Sequence, residues 1–205
     1  MEEDKISLKL IDDAIGRHNS ALTSLRDNIP KIVEGSKAIN NCISTGGKVF
    51  VCGNGGSASD AQHFVAELVG RFVFERKGLP AVALTTDTSV ITAVANDYSF
   101  NEIFARQVEA LCEKNDVLVA ISTSGNSKNI LRALKSAKKK GCLSILLSGK
   151  EGGQAKALAG TAIIIESDNT AAIQEMHIMT LHMICKIIDE HYAKTNLNSI
   201  NDSKK

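Results

Sequence analysis

KVFVCGNGGSASD, residues 48–60, sets an apolar run directly against a glycine-rich turn and the opening of a helix. The run is apolar at successive positions rather than alternate ones, the pattern of a parallel strand covered by helices on both faces. Gly53, Gly55 and Gly56 allow a tight turn and close approach to a ligand, and Ser57 opens a helix whose first N–H groups are free. Four more runs of this kind follow: AVALTT (81–86), DVLVAIS (116–122), LSILLSG (143–149) and TAIIIES (161–167). Between them the spacing predicts helices near 57–73, 88–95, 100–113, 127–140 and 152–159, with a long final helix over 170–193. Segment 127–140 is punctuated as a helix should be, with Ser127 at its start, lysines 138–140 in its last turn and Gly141 just beyond. The rhythm predicts an α/β fold: a three-layer αβα doubly wound sheet of about five parallel strands.

Upstream, 6–28 and 31–45 read as two amphipathic helices broken near Pro30, a residue suited to starting the second. The first is apolar at Ile6, Leu8, Leu10, Ile11, Ala14, Ile15, Leu22 and Leu25. The chain therefore divides into an N-terminal helical arm (1–45), an α/β domain (46–195) and a polar tail (196–205, NLNSINDSKK) expected to fray.

Composition narrows the function. The 205 residues can bury a core of their own, and 43% hydrophobic with 23% charged residues excludes wholesale disorder. A net charge of +1 gives no field for nucleic acid or an anionic membrane. No apolar run approaches the about 18 residues of a bilayer span, and the acidic start MEEDKISLKL has no apolar signal core. Cysteines 42, 52, 112, 142 and 185 are odd in number and contain no CxxC pair, which reads as reduced thiols in a cytoplasm.

Ligands in such sheets bind at the carboxyl ends of the strands. At the first, residues 53–58 also satisfy G-x-G-x-x-A, but a dinucleotide site needs an acidic residue at the end of the second strand. Glu75 comes before that strand and Asp87 too far along, which leaves a ligand loop of another kind or a packing turn. At the third, STSGNS (122–127) puts hydroxyls and a glycine before a helix N-terminus, able to hold a phosphate or merely to cap the helix. No Walker lysine is present, which favours a sugar phosphate over a nucleotide. After the second strand, Asn96 and Asp97 could bond sugar hydroxyls or serve as turn residues.

Asp60, His63, Glu67 and Arg71 form a polar stripe on the helix after the glycine loop, opposite Phe64, Val65, Leu68, Val69 and Phe72. His63 and Glu67, four apart, could grip one metal ion or form a plain surface pair. In the last helix IQEMHIMTLHMIC (173–185) embeds Gln174, Glu175, His177 and His182 among apolar residues, where polar groups need partners. Gln174 and His182 are eight apart, roughly 12 Å of helical rise. They meet one ion only if their side chains converge or two subunits contribute.

With CGNGGSASDAQHFVAEL, ALTTDTS, AND, ISTSGNS and IQEMH followed by His182, the chain resembles the phosphoheptose isomerases of the sugar-isomerase (SIS) domain family, over roughly residues 6 to 192. The resemblance implies a flavodoxin-like SIS domain that converts sedoheptulose 7-phosphate to D-glycero-D-manno-heptose 7-phosphate, towards lipopolysaccharide or capsule. It also implies one zinc ion per subunit and a cytoplasmic homotetramer, assembled through the helical arm, with active sites at subunit interfaces. Carried over by position, the metal ligands fall on His63, Glu67, Gln174 and His182. Substrate contacts fall on Asn54, Gly55, Gly56, Ser57, Glu67, Asn96, Asp97, Ser122, Thr123, Ser124, Ser127 and Gln174, with Arg71 and Thr170 as additions. Ala172 departs from the many relatives that carry arginine there.

Isomerisation through a cis-enediol needs a base over the carbon, an acid/base at the oxygens and positive charge for the developing enediolate. Glu67 is the expected base and His182 its partner, with zinc as Lewis acid and template. Two rivals exist on this scaffold: an isomerase of another phosphosugar, and a non-catalytic protein binding a bacterial replication initiator. Such non-catalytic relatives lack the counterparts of Glu67 and His182, both present here.

Overall fold

The computed structural model describes residues 2–202. Five parallel strands, β1 (Val49–Gly53), β2 (Ala81–Ala83), β3 (Val117–Ser122), β4 (Leu143–Gly149) and β5 (Thr161–Ile165), lie in the order β2-β1-β3-β4-β5. Register pairs Val49 with Ala81 on one side and with Val117 on the other. The chain steps outward from β1 to β2, then crosses back to β3 on the far side of β1. That reversal opens a crevice at the carboxyl ends of β1 and β3.

The doubly apolar strands feed two cores. Val49, Val51, Val119, Ile121, Ile145, Leu147 and Ile163 face one layer; Phe50, Cys52, Leu118, Ala120 and Leu146 face the other. The first layer holds α1 (Glu2–Asp27), α2 (Ile29–Ser44), α3 (Gly56–Val69) and α7 (Thr170–Asp202). The second holds α4 (Thr88–Asp97), α5 (Ala105–Leu111) and α6 (Lys128–Lys140). In α6, Ile130, Ala133, Leu134 and Ala137 turn inward, and Gly141 ends the helix in the left-handed conformation at φ 75°.

Several boundaries differ from expectation. Residues 152–159 form turns, not a helix, because Gly152 and Gly153 both take positive φ. The second strand stops at Ala83, and Thr86 then bonds back to its carbonyl. Segment 100–113 splits into a 3-10 turn (Phe100–Glu102) and α5. Helix α3 stops at Val69 rather than at 73, its last carbonyls taken by Arg76. The backbone of α7 continues to Asp202, into the tail expected to fray, since elongation needs no new nucleus. Residues 203–205 lie outside the described range.

Helices α1 and α2 are joined through Asn28 alone, with Pro30 in the first turn of α2. The Asn28 side chain works as a strand would: its amide donates to the Ile164 carbonyl at 2.7 Å, and its oxygen accepts from the Ile164 N–H at 3.0 Å. Ser24 accepts the next free amide, that of Glu166. The outer edge of β5 is thus covered by the arm. Only the second half of α1 packs, through Ala21 and Leu25; Ile6, Leu8, Leu10, Ile11 and Ile15 stay 55–67% exposed. All five cysteines are free and buried. Among the described residues, no helix is long and apolar enough to cross a membrane.

Candidate active site

The glycine loop and the hydroxyl loop meet at the crevice. Gly55 takes φ 57°, open to glycine, and a Cβ on Gly56 would lie 2.4 Å from the Gln174 amide nitrogen. Ser57 is buried, its N–H on the Asn54 carbonyl. Asn54 and buried Asn129 form a reciprocal amide pair at 2.9 and 2.8 Å, tying the glycine loop to the first turn of α6. Sequence reasoning missed Asn129, since an Asn in a first helical turn carries no signal of a partner 75 residues away.

Ser122 is buried and its hydroxyl donates to Ser127 at 3.4 Å, while Ser124 accepts from the Asn126 N–H. Ser127 is the N-cap residue of α6 without a side-chain capping bond, so its hydroxyl faces the loop. The loop rests on residues 148–155: Gly149 donates to the Thr123 carbonyl, Ala155 to the Gly125 carbonyl and Ser148 Oγ to the Ser122 carbonyl. A cleft of about 640 Å³ lined by Ser124, Asn126, Lys150, Gly153 and Glu166 opens beside it.

On the facing helices the structure gathers three of the four expected ligands. His63 Nε2 lies 3.2 Å from Glu67 Oε1 and 3.3 Å from His182 Nε2, with the two imidazoles edge to face. Phe72 stacks on His182. The donors form a chain centred on His63, and among the described residues no three His, Cys, Asp or Glu side chains close into a metal cage. Gln174, two turns earlier on α7, lies over Gly56 instead. Beneath Glu67, the Cys185 thiol is pushed up to about 12 by burial, then by Glu67 and Asp189, so it stays protonated. Asp60, one turn before His63, has a carboxylate oxygen buried without a partner, and burial raises its pKa against the pull of His63.

Other expected residues sit apart from this cluster. Arg71 is exposed, 3.7 Å from Glu75. Asn96 donates to Asp97 at 2.8 Å at the exposed end of α4. Thr170 is the exposed first residue of α7, and Ala172 is buried with its N–H on Asn169.

The sequence matches the SIS domain family over residues 16–149. It is 50% identical over 192 residues to a phosphoheptose isomerase of Helicobacter pylori (strain P12), covering 91% of this chain and 100% of the relative. Phosphoheptose isomerase 1 of Campylobacter jejuni subsp. jejuni is 52% identical over 168 residues, covering 82% of this chain and 89% of the relative. Among solved structures, a phosphoheptose isomerase from Francisella tularensis superposes with a TM-score of 0.86 at 41% identity, covering 90% and 98% of the two chains. That of Neisseria gonorrhoeae gives 0.81 at 37% identity, covering 93% and 100%.

Proposed function

The chain belongs to the phosphoheptose isomerases of the SIS domain family, and from that premise we propose that its crevice converts sedoheptulose 7-phosphate to D-glycero-D-manno-heptose 7-phosphate. It is an aldose–ketose isomerase. The observation that carries the site assignment is the meeting of Glu67, His63 and His182 across α3 and α7, with the glycine loop that opens α3 tied to the start of α6 through Asn54 and Asn129. Ser122, Thr123, Ser124 and Ser127 hold the phosphate, helped by the free N–H groups and dipole of α6. The glycine loop, with Asn54 locked to Asn129, lets the sugar chain run from that anchor towards α3 and α7. Glu67 takes the proton between C1 and C2, and His182 moves protons at the two oxygens.

Two spacings within this donor set suit a metal ion, although the side chains as they stand form a chain rather than a closed cage. Two ligands of one tetrahedral zinc, each about 2.0–2.1 Å from it, lie about 3.3 Å apart. The His63–Glu67 and His63–His182 separations of 3.2 and 3.3 Å match that spacing. His63, Glu67 and His182 would hold the ion, one per subunit, with Gln174 as the fourth ligand. Bound there, zinc would supply positive charge for the developing enediolate. The uncovered apolar side chains of α1 support assembly, read here as a homotetramer with interfacial sites. The product would feed heptose synthesis for lipopolysaccharide or capsule, in the cytoplasm.

The test is turnover of sedoheptulose 7-phosphate before and after chelation, alongside Glu67→Gln. The variant is expected to fold, keep its assembly and lose at least about a hundredfold in kcat. Wild-type turnover in Glu67→Gln would remove Glu67 from its role; activity indifferent to chelator would remove the metal.

A further inference from the structure

Arg76 and Asp189 form a fully buried ion pair, 1% and 0% exposed, with Nε 2.6 Å from Oδ1. Its other bonds are unusually directed. The Arg76 guanidinium donates to the carbonyls of Glu67 at 2.7 Å, Leu68 at 2.9 Å and Gly70 at 3.3 Å, gathering the last turn of α3. Asp189 accepts the N–H groups of Val73 and Phe74 at 2.7 and 3.0 Å, fixing the strap that leaves α3. Asp189 lies seven residues past His182, two turns along the same side of α7, roughly 10.5 Å away. The pair therefore joins the backbone of the residue bearing the expected base to the helix bearing the second histidine.

Burial alone would push the Asp189 carboxyl up, but the Phe74 and Val73 amides and the Arg76 guanidinium outweigh it and hold the pKa below the usual value. The charge is thus kept in the core. A buried pair of this kind is weak evidence for stability, because desolvation offsets most of its attraction. What it supplies is geometry: a planar fork that fixes two helices at one spacing.

We propose that Arg76 and Asp189 are positioning residues of the isomerase reaction, a clamp that sets α3 against α7 so that Glu67 and His63 meet His182. The inference rests on the catalytic reading of Glu67 and His182 given above. The clamp leaves the hydroxyl loop alone, since that loop is carried by β3 and α6.

Asp189→Asn keeps the shape and removes the charge. Measured on protein shown by circular dichroism to be folded, it is expected to lower kcat at least about tenfold, with KM for sedoheptulose 7-phosphate within about twofold. Its kcat pH profile shifts, and the cross-relaxation between the His63 and His182 rings in NMR weakens. Where Asp189→Asn does not accumulate folded, Arg76→Lys carries the test, keeping the charge while losing the fork on the α3 carbonyls. Full kcat per folded molecule, an unmoved pH profile and intact ring contacts, with only a lower melting temperature, would overturn the clamp. If the unmodified chain does not turn over sedoheptulose 7-phosphate, the catalytic reading falls, and the ring contacts alone decide whether the clamp sets the histidine geometry.

Discussion

His177 is wholly buried on α7, and neither ring nitrogen has a hydrogen-bond partner. Burial drives the imidazole down to about 4; the nearby Ser148 main chain opposes this slightly without closing a bond. Between pH 4 and an unfolded value near 6.5, the unfolded chain binds the extra proton. This part of the stability is complete above pH 6.5 and drains away as pH falls towards 4, by up to about 3 kcal/mol. His177→Leu is therefore expected to flatten the melting temperature between pH 4 and 6.5, its advantage over the unmodified chain growing as pH falls. Parallel curves for the two proteins would refute it. The sequence made clear that polar groups in this apolar helix needed partners. It left open which histidine would find one: His177 and His182 are five residues apart and point in different directions, and packing alone turned His182 towards His63.

At the scale of elements, the hydroxyl loop depends on the turn beneath it. Gly125 takes φ 63°, and a Cβ there would stand 2.0 Å from the Gly152 carbonyl oxygen. Gly125→Ala is expected to cost more than about 2 kcal/mol and to raise KM for the sugar phosphate at least about tenfold. Denaturant melts and steady-state kinetics check both, and an unchanged KM would sink the assignment of this loop to the phosphate. The strands and the two ligand loops were legible because doubly apolar runs and Gly or Ser/Thr clusters carry local signals. Residues 152–159 were not. EGGQAKALAG has helical spacing, but its paired glycines take the left-handed turns that the close contact with Gly125 requires.

For the whole molecule, the parallel sheet of about five strands followed from the β–α rhythm, whereas the Arg76–Asp189 clamp did not, since both look like solvent-facing charges in ERKG and IIDEH. Their partnership spans 113 residues and exists only once α3 and α7 have packed. The arm was legible as a helix, but its apolar stripe is only partly used within the chain. Leu8→Glu with Ile15→Glu, both on that exposed stripe, is expected to leave helix content unchanged and lower the mass in sedimentation equilibrium. An unchanged mass would show that assembly uses another surface. Asn28 has a final bearing on how copies of this chain can meet. Because its amide already answers both peptide groups of Ile164 on the outermost strand, and Ser24 takes the next amide, a neighbouring molecule meets an interrupted ladder on that side, which opposes fibre growth by strand addition.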